Sequence, residues 1–246
     1  KNINKKEVRA TMKNYSEITP YIQELADKST RNNQIVPEMY TQYNVNRGLR
    51  DLNGKGVVTG LTEISKIKAK TLSASGEEIP CHGELCYRGY NIREIVNGFM
   101  SEDRFGFEET VYLLLFSELP SADRLTRFKT ELSKFRSLPP SFVRDMILKA
   151  PGKDMMNILS RCVLALYAYD ENPDDISVAN VLRQSLQLIS VFPLLAVYSY
   201  QSYLHYHQSQ SLFIHLPKPE YSTAENLLHL LREDGKFSHL EAKILD

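Results

Sequence analysis

The sequence predicts a mainly α-helical fold with a small β segment near residues 61–90. From residue 91 to the end of the chain, apolar residues recur at helical spacing, and prolines fall between the apolar stretches, where helices end. Between residues 61 and 90, apolar and polar residues partly alternate, and Gly76 supplies a turn, which is typical of short strands.

The first 60 residues carry fewer structural signals. Residues 1–15 are polar and basic, and they predict a frayed arm or an early helix. Pro20 suits the first turn of a helix, where its missing N–H is not needed, so we predict a helix over residues 16–26. A short helix is predicted over residues 37–43, and glycines punctuate residues 47–61.

The later helices are predicted from apolar periodicity and from their boundary residues. Their connections are short, as expected inside one helical domain. The predicted spans are 91–98, 107–118, 122–137, 141–149, 154–169, 177–206, 222–233 and 238–246.

The last of these helices has a clear start signal and no stop signal. Ser238 and Glu241 have the spacing of a capping box. No Gly, Asn or Pro follows before Asp246, and isolated helices shorter than about 12 residues are marginal in water. We therefore expect that the chain is part of a longer protein.

Charge and cysteine content exclude several classes of protein. Lys plus Arg number 30 and Asp plus Glu number 30, which argues against a nucleic-acid binder that works through bulk charge. The three cysteines are odd in number and irregularly spaced, which does not suit a disulfide framework, and no secretory signal is visible. These features predict a cytoplasmic protein.

The predicted helix over residues 177–206 contains no charged residue between Gln184 and Leu204. A transmembrane helix needs about 20 mostly apolar residues, but the glutamines, serines and Pro193 of this stretch suit a bilayer poorly. Such a helix is otherwise buried in a core or at a subunit interface. We favour a helix shared by the core and a homodimer interface over residues 177–207, then a core helix, and last a membrane span.

Two groups of side chains are of the kind that binds metals. Cys81, His82 and Cys86 lie close in sequence, but a structural zinc site needs four ligands and no second pair follows. His205 and His207 are two residues apart, so they do not face each other on a helix. We predict no metal site, and we interpret these histidines, together with His215 and His229, as structural or exposed.

An acidic turn at Glu171, Asp174 and Asp175 is the remaining chemical candidate. Paired carboxylates act as acid and base when their surroundings separate their pKa values, and nothing apolar adjoins these three. Negative charge before a helix suits the helix N-terminus, which favours a capping role. Since GxSxG, GxGxxG and phosphate-loop motifs are also missing, residue chemistry alone indicates no active site.

Several segments in order resemble citrate synthase, particularly the bacterial citrate/2-methylcitrate type. The resemblance runs over nearly the whole chain, and it implies that residues 1–246 are the N-terminal part of a multi-helical large domain, without the C-terminal catalytic part and the small domain. The segments are RGLRDLNGKGVVTGLTEIS (47–65), CYRGYNI (86–92), FEETVYLLLFSELP (107–120), YDENPDD (169–175), NVLRQSLQLI (180–189) and KPEYSTAEN (218–226).

The resemblance implies an acyltransferase of the tricarboxylic acid cycle that condenses acetyl-CoA with oxaloacetate to give citrate and CoA. It implies a homodimer that uses no cofactor, with residues 177–207 among its interface helices. Two alternatives remain open, a 2-methylcitrate synthase that uses propionyl-CoA and a non-catalytic helical dimerisation module.

The resemblance also bears on site residues. The family uses an Asp and two His from the second half of its chain, in motifs that do not occur here, so we assign no catalytic residue and expect this chain alone to be inactive. Arg47 matches a family position near the CoA phosphate, and guanidinium groups pair well with phosphate. An exposed arginine beside a glycine turn is an equally weighted alternative for Arg47.

Overall fold

The computed structural model describes residues 36–46, 48–51, 53–57 and 62–246 and divides the chain into two units, Lys1–Leu61 and Thr62–Asp246. In the described part of the first unit, helix α1 spans Pro37–Gln42, which confirms the short helix predicted there. Its proline lies in the first turn, where no N–H is needed. The predictions for residues 1–15 and 16–26 lie outside the described residues.

A tight antiparallel turn follows in the first unit. Arg50 and Gly56 form an isolated β-bridge across it. Oδ1 of Asp51 accepts hydrogen bonds from the backbone N–H groups of Asn53 and Lys55, each at 2.9 Å. One carboxylate therefore holds the turn closed, as aspartate side chains commonly do.

The second unit begins with a three-stranded antiparallel sheet in the order β1–β2–β3. Strand β1 spans Ser65–Leu72, β2 spans Glu78–Tyr87 and β3 spans Tyr90–Asn91, with a shift in the β1–β2 register after Lys68. Gly76 lies at φ +82° in the turn between β1 and β2, a conformation that glycine adopts freely. The β segment predicted near residues 61–90 is confirmed.

From residue 92 onward the chain is helical, which confirms the mainly α fold. The helices predicted there are present with shifted ends, as expected because end turns fray or tighten. The predicted helix at 141–149 is a π-helix over Val143–Leu148, and the predicted helix at 154–169 ends in a 3₁₀ turn over Tyr167–Tyr169. The α-helices are α2 (Ile92–Ser101), α3 (Phe107–Phe116), α4 (Ala122–Lys134), α5 (Met155–Leu166), α6 (Val178–Gln208), α7 (Thr223–Leu231) and α8 (His239–Leu245).

Serine caps begin the last three α-helices. Ser238 accepts from the backbone N–H of Glu241, whose carboxylate accepts from the backbone N–H of Ser238, which confirms the predicted capping box of α8. The same motif begins α7 at Ser222 and Glu225, and Ser177 caps α6. Each such cap contributes about 1 kcal/mol to helix stability.

The core surrounds the middle of α6. Val191, Leu194 and Leu195 are 1%, 3% and 0% exposed. They belong to one cluster with side chains from the π-helix and the residue before it, from α5 and from α7: Phe142, Ile147, Ile158, Cys162 and Leu230. Much of the uncharged stretch in α6 is therefore covered by this chain itself. Within the described residues, α6 is also long and apolar enough to cross a membrane by length and composition, a test that soluble core helices pass too.

Candidate functional site

One side of α6 remains uncovered and forms an apolar groove. On this side Phe192 and Tyr200 are 43% and 41% exposed. The groove has a volume of about 520 Å³ and is bordered by α3, α7 and α8. Its apolar lining includes Phe107, Val111, Leu188, Phe192, Ala196 and Leu227. Such a surface can hold apolar groups, and we consider it the candidate contact surface of this unit.

Asp246 lies at one end of the groove and caps α3. Its carboxylate accepts from the backbone N–H groups of Gly106 at 2.5 Å and Phe107 at 3.3 Å. Burial raises the pKa of this carboxyl, and the hydrogen bonds act in the opposite direction. Lys243 of α8 donates to the carbonyl oxygen of Arg104 at 2.5 Å, so α8 is attached to the start of α3 through polar contacts.

A buried carboxylate lies beneath the same end of α3. Glu108 is 0% exposed, and its Oε1 accepts from the backbone N–H of Thr223 at 2.8 Å and from its hydroxyl at 2.9 Å. Arg136 Nη2 lies 3.5 Å from the same oxygen. Burial lowers the pKa of Arg136, and the charge of Glu108 opposes that shift. This network joins α3, the segment that follows α4, and the start of α7.

The Glu108–Arg136 pair is not predicted from the sequence, in which Glu108 and Glu109 belong to a segment that carries the family resemblance. Two carboxylates beside an apolar run are the available signal, because a buried carboxylate needs partners. Glu109 contacts Arg104, whose guanidinium also binds Glu102. Both glutamates therefore have cationic partners, which are supplied by residues outside α3.

The cysteine cluster does not form a metal site in the structure. Cys81 and Cys86 are free thiols on β2, and the irregularity in the β1–β2 register between Pro80 and Glu84 includes the first of them. Nε2 of His82 accepts from the Arg93 guanidinium at 2.8 Å, which occupies that nitrogen. Among the described residues, no group of three or more potential ligands is arranged to hold a metal ion.

The histidines near the ends of α6 and α7 bind backbone groups. His205, His215 and His229 each contact a carbonyl oxygen, those of Gln210, Glu233 and Gly235 at 2.8, 2.9 and 3.1 Å. The rings of His215 and His229 lie 5.3 Å apart. His239 Nε2 lies 3.3 Å from Asp103 Oδ1, and His207 packs on Tyr203. These contacts fix loops and helix ends.

The acidic turn is built into the start of α6. Asp175 accepts from the backbone N–H and hydroxyl of the Ser177 cap, at 2.8 and 3.0 Å. Asp170 binds the Arg183 guanidinium at 2.6 Å and the Gln184 amide at 3.0 Å, and these donors lower its pKa to about 2. A cleft of about 580 Å³ adjoins this network. Asp170, Arg183 and Gln184 thus hold the start of α6 beside this cleft, and Asp175 binds its cap, in agreement with the capping interpretation.

Arg47 lies outside the described residues, so its predicted phosphate contact stays a prediction. The described neighbour Arg50 donates through Nη1 to the carbonyl oxygen of Gly54 at 2.9 Å. The structure therefore gives Arg50 a turn-stabilising role within the first unit.

Comparisons with known proteins support the resemblance. The family model described as "Citrate synthase, C-terminal domain" matches residues 49–246. The 2-methylcitrate synthase 1 of Corynebacterium glutamicum is 30% identical over 119 residues, which cover 48% of this chain and 26% of that protein. Citrate synthase of Saccharolobus solfataricus is 33% identical over 91 residues, which cover 37% of this chain and 22% of that protein. The matched segments span about a quarter of these two relatives.

A solved structure agrees on the fold. Citrate synthase from Pyrobaculum aerophilum superposes with a TM-score of 0.59 at 22% identity, covering 80% of this chain and 47% of that chain. At this level of identity the likeness concerns the fold, and it confirms the multi-helical, citrate-synthase-like large domain predicted from the sequence.

Proposed function

The chain belongs to the citrate synthase family, and we propose that it is the N-terminal part of the large domain of a citrate synthase. This family uses no metal or cofactor, and CoA is a substrate. The proposed parent enzyme is an acyltransferase that condenses acetyl-CoA with oxaloacetate to give citrate and CoA. The observation that carries the proposal is the family match over residues 49–246.

A second candidate is 2-methylcitrate synthase, which uses propionyl-CoA. It is favoured by the 30% identity to the 2-methylcitrate synthase 1 of C. glutamicum. Release of CoA by the full-length parent from acetyl-CoA and from propionyl-CoA, each with oxaloacetate, distinguishes the two candidates. Faster turnover of propionyl-CoA would overturn the assignment as a citrate synthase.

We expect these 246 residues alone to release no CoA above a buffer control. The reason is that none of the His-containing and Asp-containing family motifs occurs in the sequence. The measurement is a thiol assay with acetyl-CoA and oxaloacetate, and a full-length citrate synthase serves as the positive control. Turnover far above the control would contradict the expected inactivity. A parent gene that encodes no further catalytic motif would instead favour the helical dimerisation module.

We further propose that Arg47 contacts a phosphate of CoA. Its support is the resemblance of the Arg47 segment, together with the suitability of guanidinium for phosphate. In the full-length parent, Arg47→Ala is expected to weaken CoA binding about tenfold, the loss of one charge-assisted contact of roughly 1.5 kcal/mol. Calorimetric titration with CoA measures the change, and Arg93→Ala is the control because Arg93 binds His82. Equal affinities of wild type and Arg47→Ala would contradict the contact.

We propose a cytoplasmic homodimer that forms through the uncovered side of α6, and we place its reaction in the tricarboxylic acid cycle. The support for the dimer is the exposure of Phe192 and Tyr200 beside an apolar groove, since interfaces are enriched in aromatic side chains. The free thiols of Cys81, Cys86 and Cys162 are consistent with a reducing compartment. Cell fractionation tests the location, and recovery of the parent outside the cytoplasm would overturn it.

A further inference from the structure

The two Asn–Gly pairs of this chain have different backbone conformations, one in a turn and one in a helix. Asn53–Gly54 belongs to the exposed turn of the first unit, and Asn97–Gly98 lies inside α2. All four residues are exposed, and a Cβ placed on either glycine would meet no atom within 4 Å. Access by water is therefore similar, and the two pairs differ mainly in backbone conformation.

We propose that Asn53 is a site of spontaneous deamidation and that Asn97 is protected by its helix. The backbone nitrogen of Gly54 loses its proton to water or hydroxide and attacks Cγ of Asn53. A C–N bond forms, the Cγ–Nδ2 bond breaks, and the amide nitrogen leaves as ammonia after it takes up a proton. Water then opens the succinimide ring at either carbonyl and yields aspartate or isoaspartate, with no change in oxidation state.

The attack requires the glycine nitrogen to approach the asparagine side chain. In α2 that approach is blocked, because a helical N–H is held by the carbonyl four residues earlier and the surrounding turns fix the backbone. In the turn, Gly54 lies at φ +77°, and its N–H is held by a single bond to the carbonyl oxygen of Asp51 at 3.0 Å. Local opening of an exposed turn costs far less free energy than opening a helix.

Asp51 is the residue that controls this opening. Its side chain accepts from Asn53 N and Lys55 N, and its carbonyl accepts from Gly54 N. Removal of the Asp51 carboxylate abolishes the hydrogen bonds from Asn53 N and Lys55 N and leaves only the one from Gly54 N to the Asp51 carbonyl oxygen. The rate of deamidation therefore reports how often the Asp51 turn opens.

Deamidation also changes the charge of the turn. It adds a carboxylate beside Arg50 and Lys55, and isoaspartate adds a methylene to the main chain. Weaker binding of CoA phosphate by the deamidated protein is a consequence that rests on the proposed role of Arg47. The deamidation itself does not depend on that proposal, and the two are measured separately.

The test is peptide mapping by mass spectrometry after the folded chain has been incubated at neutral and at alkaline pH. Asn53 is expected to convert about tenfold faster than Asn97, because only the turn opens easily, and the rate is expected to rise with pH. Asp51→Ala should speed conversion at Asn53 and leave Asn97 unchanged. Asn53→Ser should abolish the signal in that peptide.

The chain unfolded in denaturant is the reference, because there both pairs are free to react. The proposal is supported if the two asparagines convert at similar rates in denaturant and Asn53 converts faster than Asn97 in the folded chain. An intact Asn53 in folded chain under conditions that convert it in denaturant would overturn the proposal. Equal folded-state rates for the two asparagines, or no acceleration by Asp51→Ala, would also overturn it.

Discussion

Replacement of Arg136 by alanine is expected to lower the free energy of unfolding by about 3–5 kcal/mol. The side chains of Arg136 and Glu108 are 6% and 0% exposed, and 3.5 Å separates the guanidinium Nη2 from Oε1 of Glu108. Removal of the cation leaves a carboxylate without a charge partner in the core. A buried unpaired charge is among the most destabilising changes that a single substitution makes.

The loss extends beyond one ion pair because Arg136 and Glu108 hold the same helix start. Nη1 of Arg136 donates to the carbonyl oxygen of Tyr221 at 2.5 Å, and Glu108 accepts from the backbone N–H of Thr223. Both groups thus fix the chain as it enters α7. Oε2 of Glu108 lacks a hydrogen-bond partner, so without Arg136 the carboxylate keeps only the two donors of Thr223, both on Oε1.

Urea unfolding followed by circular dichroism measures the loss of stability. Two further variants show whether the buried charge is its cause. The double variant Arg136→Met with Glu108→Leu removes both charges, and we expect it to recover part of the lost stability, because the unpaired buried charge is gone while the polar groups of Tyr221 and Thr223 still lack their partners. The control is Arg124→Ala, which breaks a pair with Glu118 whose side chains are 61% and 54% exposed. Its expected effect is under about 1 kcal/mol. Equal losses for Arg136→Ala and Arg124→Ala would contradict a buried-charge penalty.

The helical part of the fold was predictable because its signals are local. Apolar periodicity and prolines gave the order of the helices, and the capping box at Ser238 is visible in four residues of sequence. The π-helix at Val143–Leu148 was predicted only as a helix. No residue pattern in this segment separates a π-helical turn from an α-helical one, so the hydrogen-bond register was not predictable from the sequence.

The candidate site was much less predictable because it is assembled from distant parts of the chain. The groove on α6 needs α3, α7 and α8 to be placed around it, and no local pattern gives that arrangement. The partner of Glu108 lies beyond the end of α4, so the burial of this pair depends on tertiary structure. The uncharged stretch of α6 raised the question of core or interface, but charge alone does not say which side of the helix is covered.

Substitutions at positions 192 and 194 of α6 allow effects on folding to be distinguished from effects on association. Leu194 is 3% exposed in the core, and Phe192 is 43% exposed at the groove. Residues two apart on a helix point to different sides, so these neighbours report different surfaces. Leu194→Glu is expected to cost about 4 kcal/mol or more, because it buries an unpaired charge and removes a packed side chain.

Phe192→Glu is expected to leave the helical circular dichroism signal near wild type, and its unfolding midpoint should fall only by the stability that dimer association contributes. If the proposed homodimer forms through the uncovered side of α6, the same variant should weaken association at least about tenfold, since a charge in a desolvated interface is unfavourable. Sedimentation velocity over a range of concentrations measures association, and circular dichroism of the same samples measures folding. The pair thus distinguishes a dimer that fails to form from a chain that fails to fold.

The two variants together test the core position of Leu194 and the interface position of Phe192. Loss of helical signal in Leu194→Glu together with a folded, dissociated Phe192→Glu would support both the core assignment and the dimer. A wild-type chain that sediments as a monomer at every concentration would overturn the dimer and leave the core assignment intact. A folded Leu194→Glu with normal stability would contradict the core, because a carboxylate cannot replace a leucine enclosed by the apolar side chains around α6 without a large penalty.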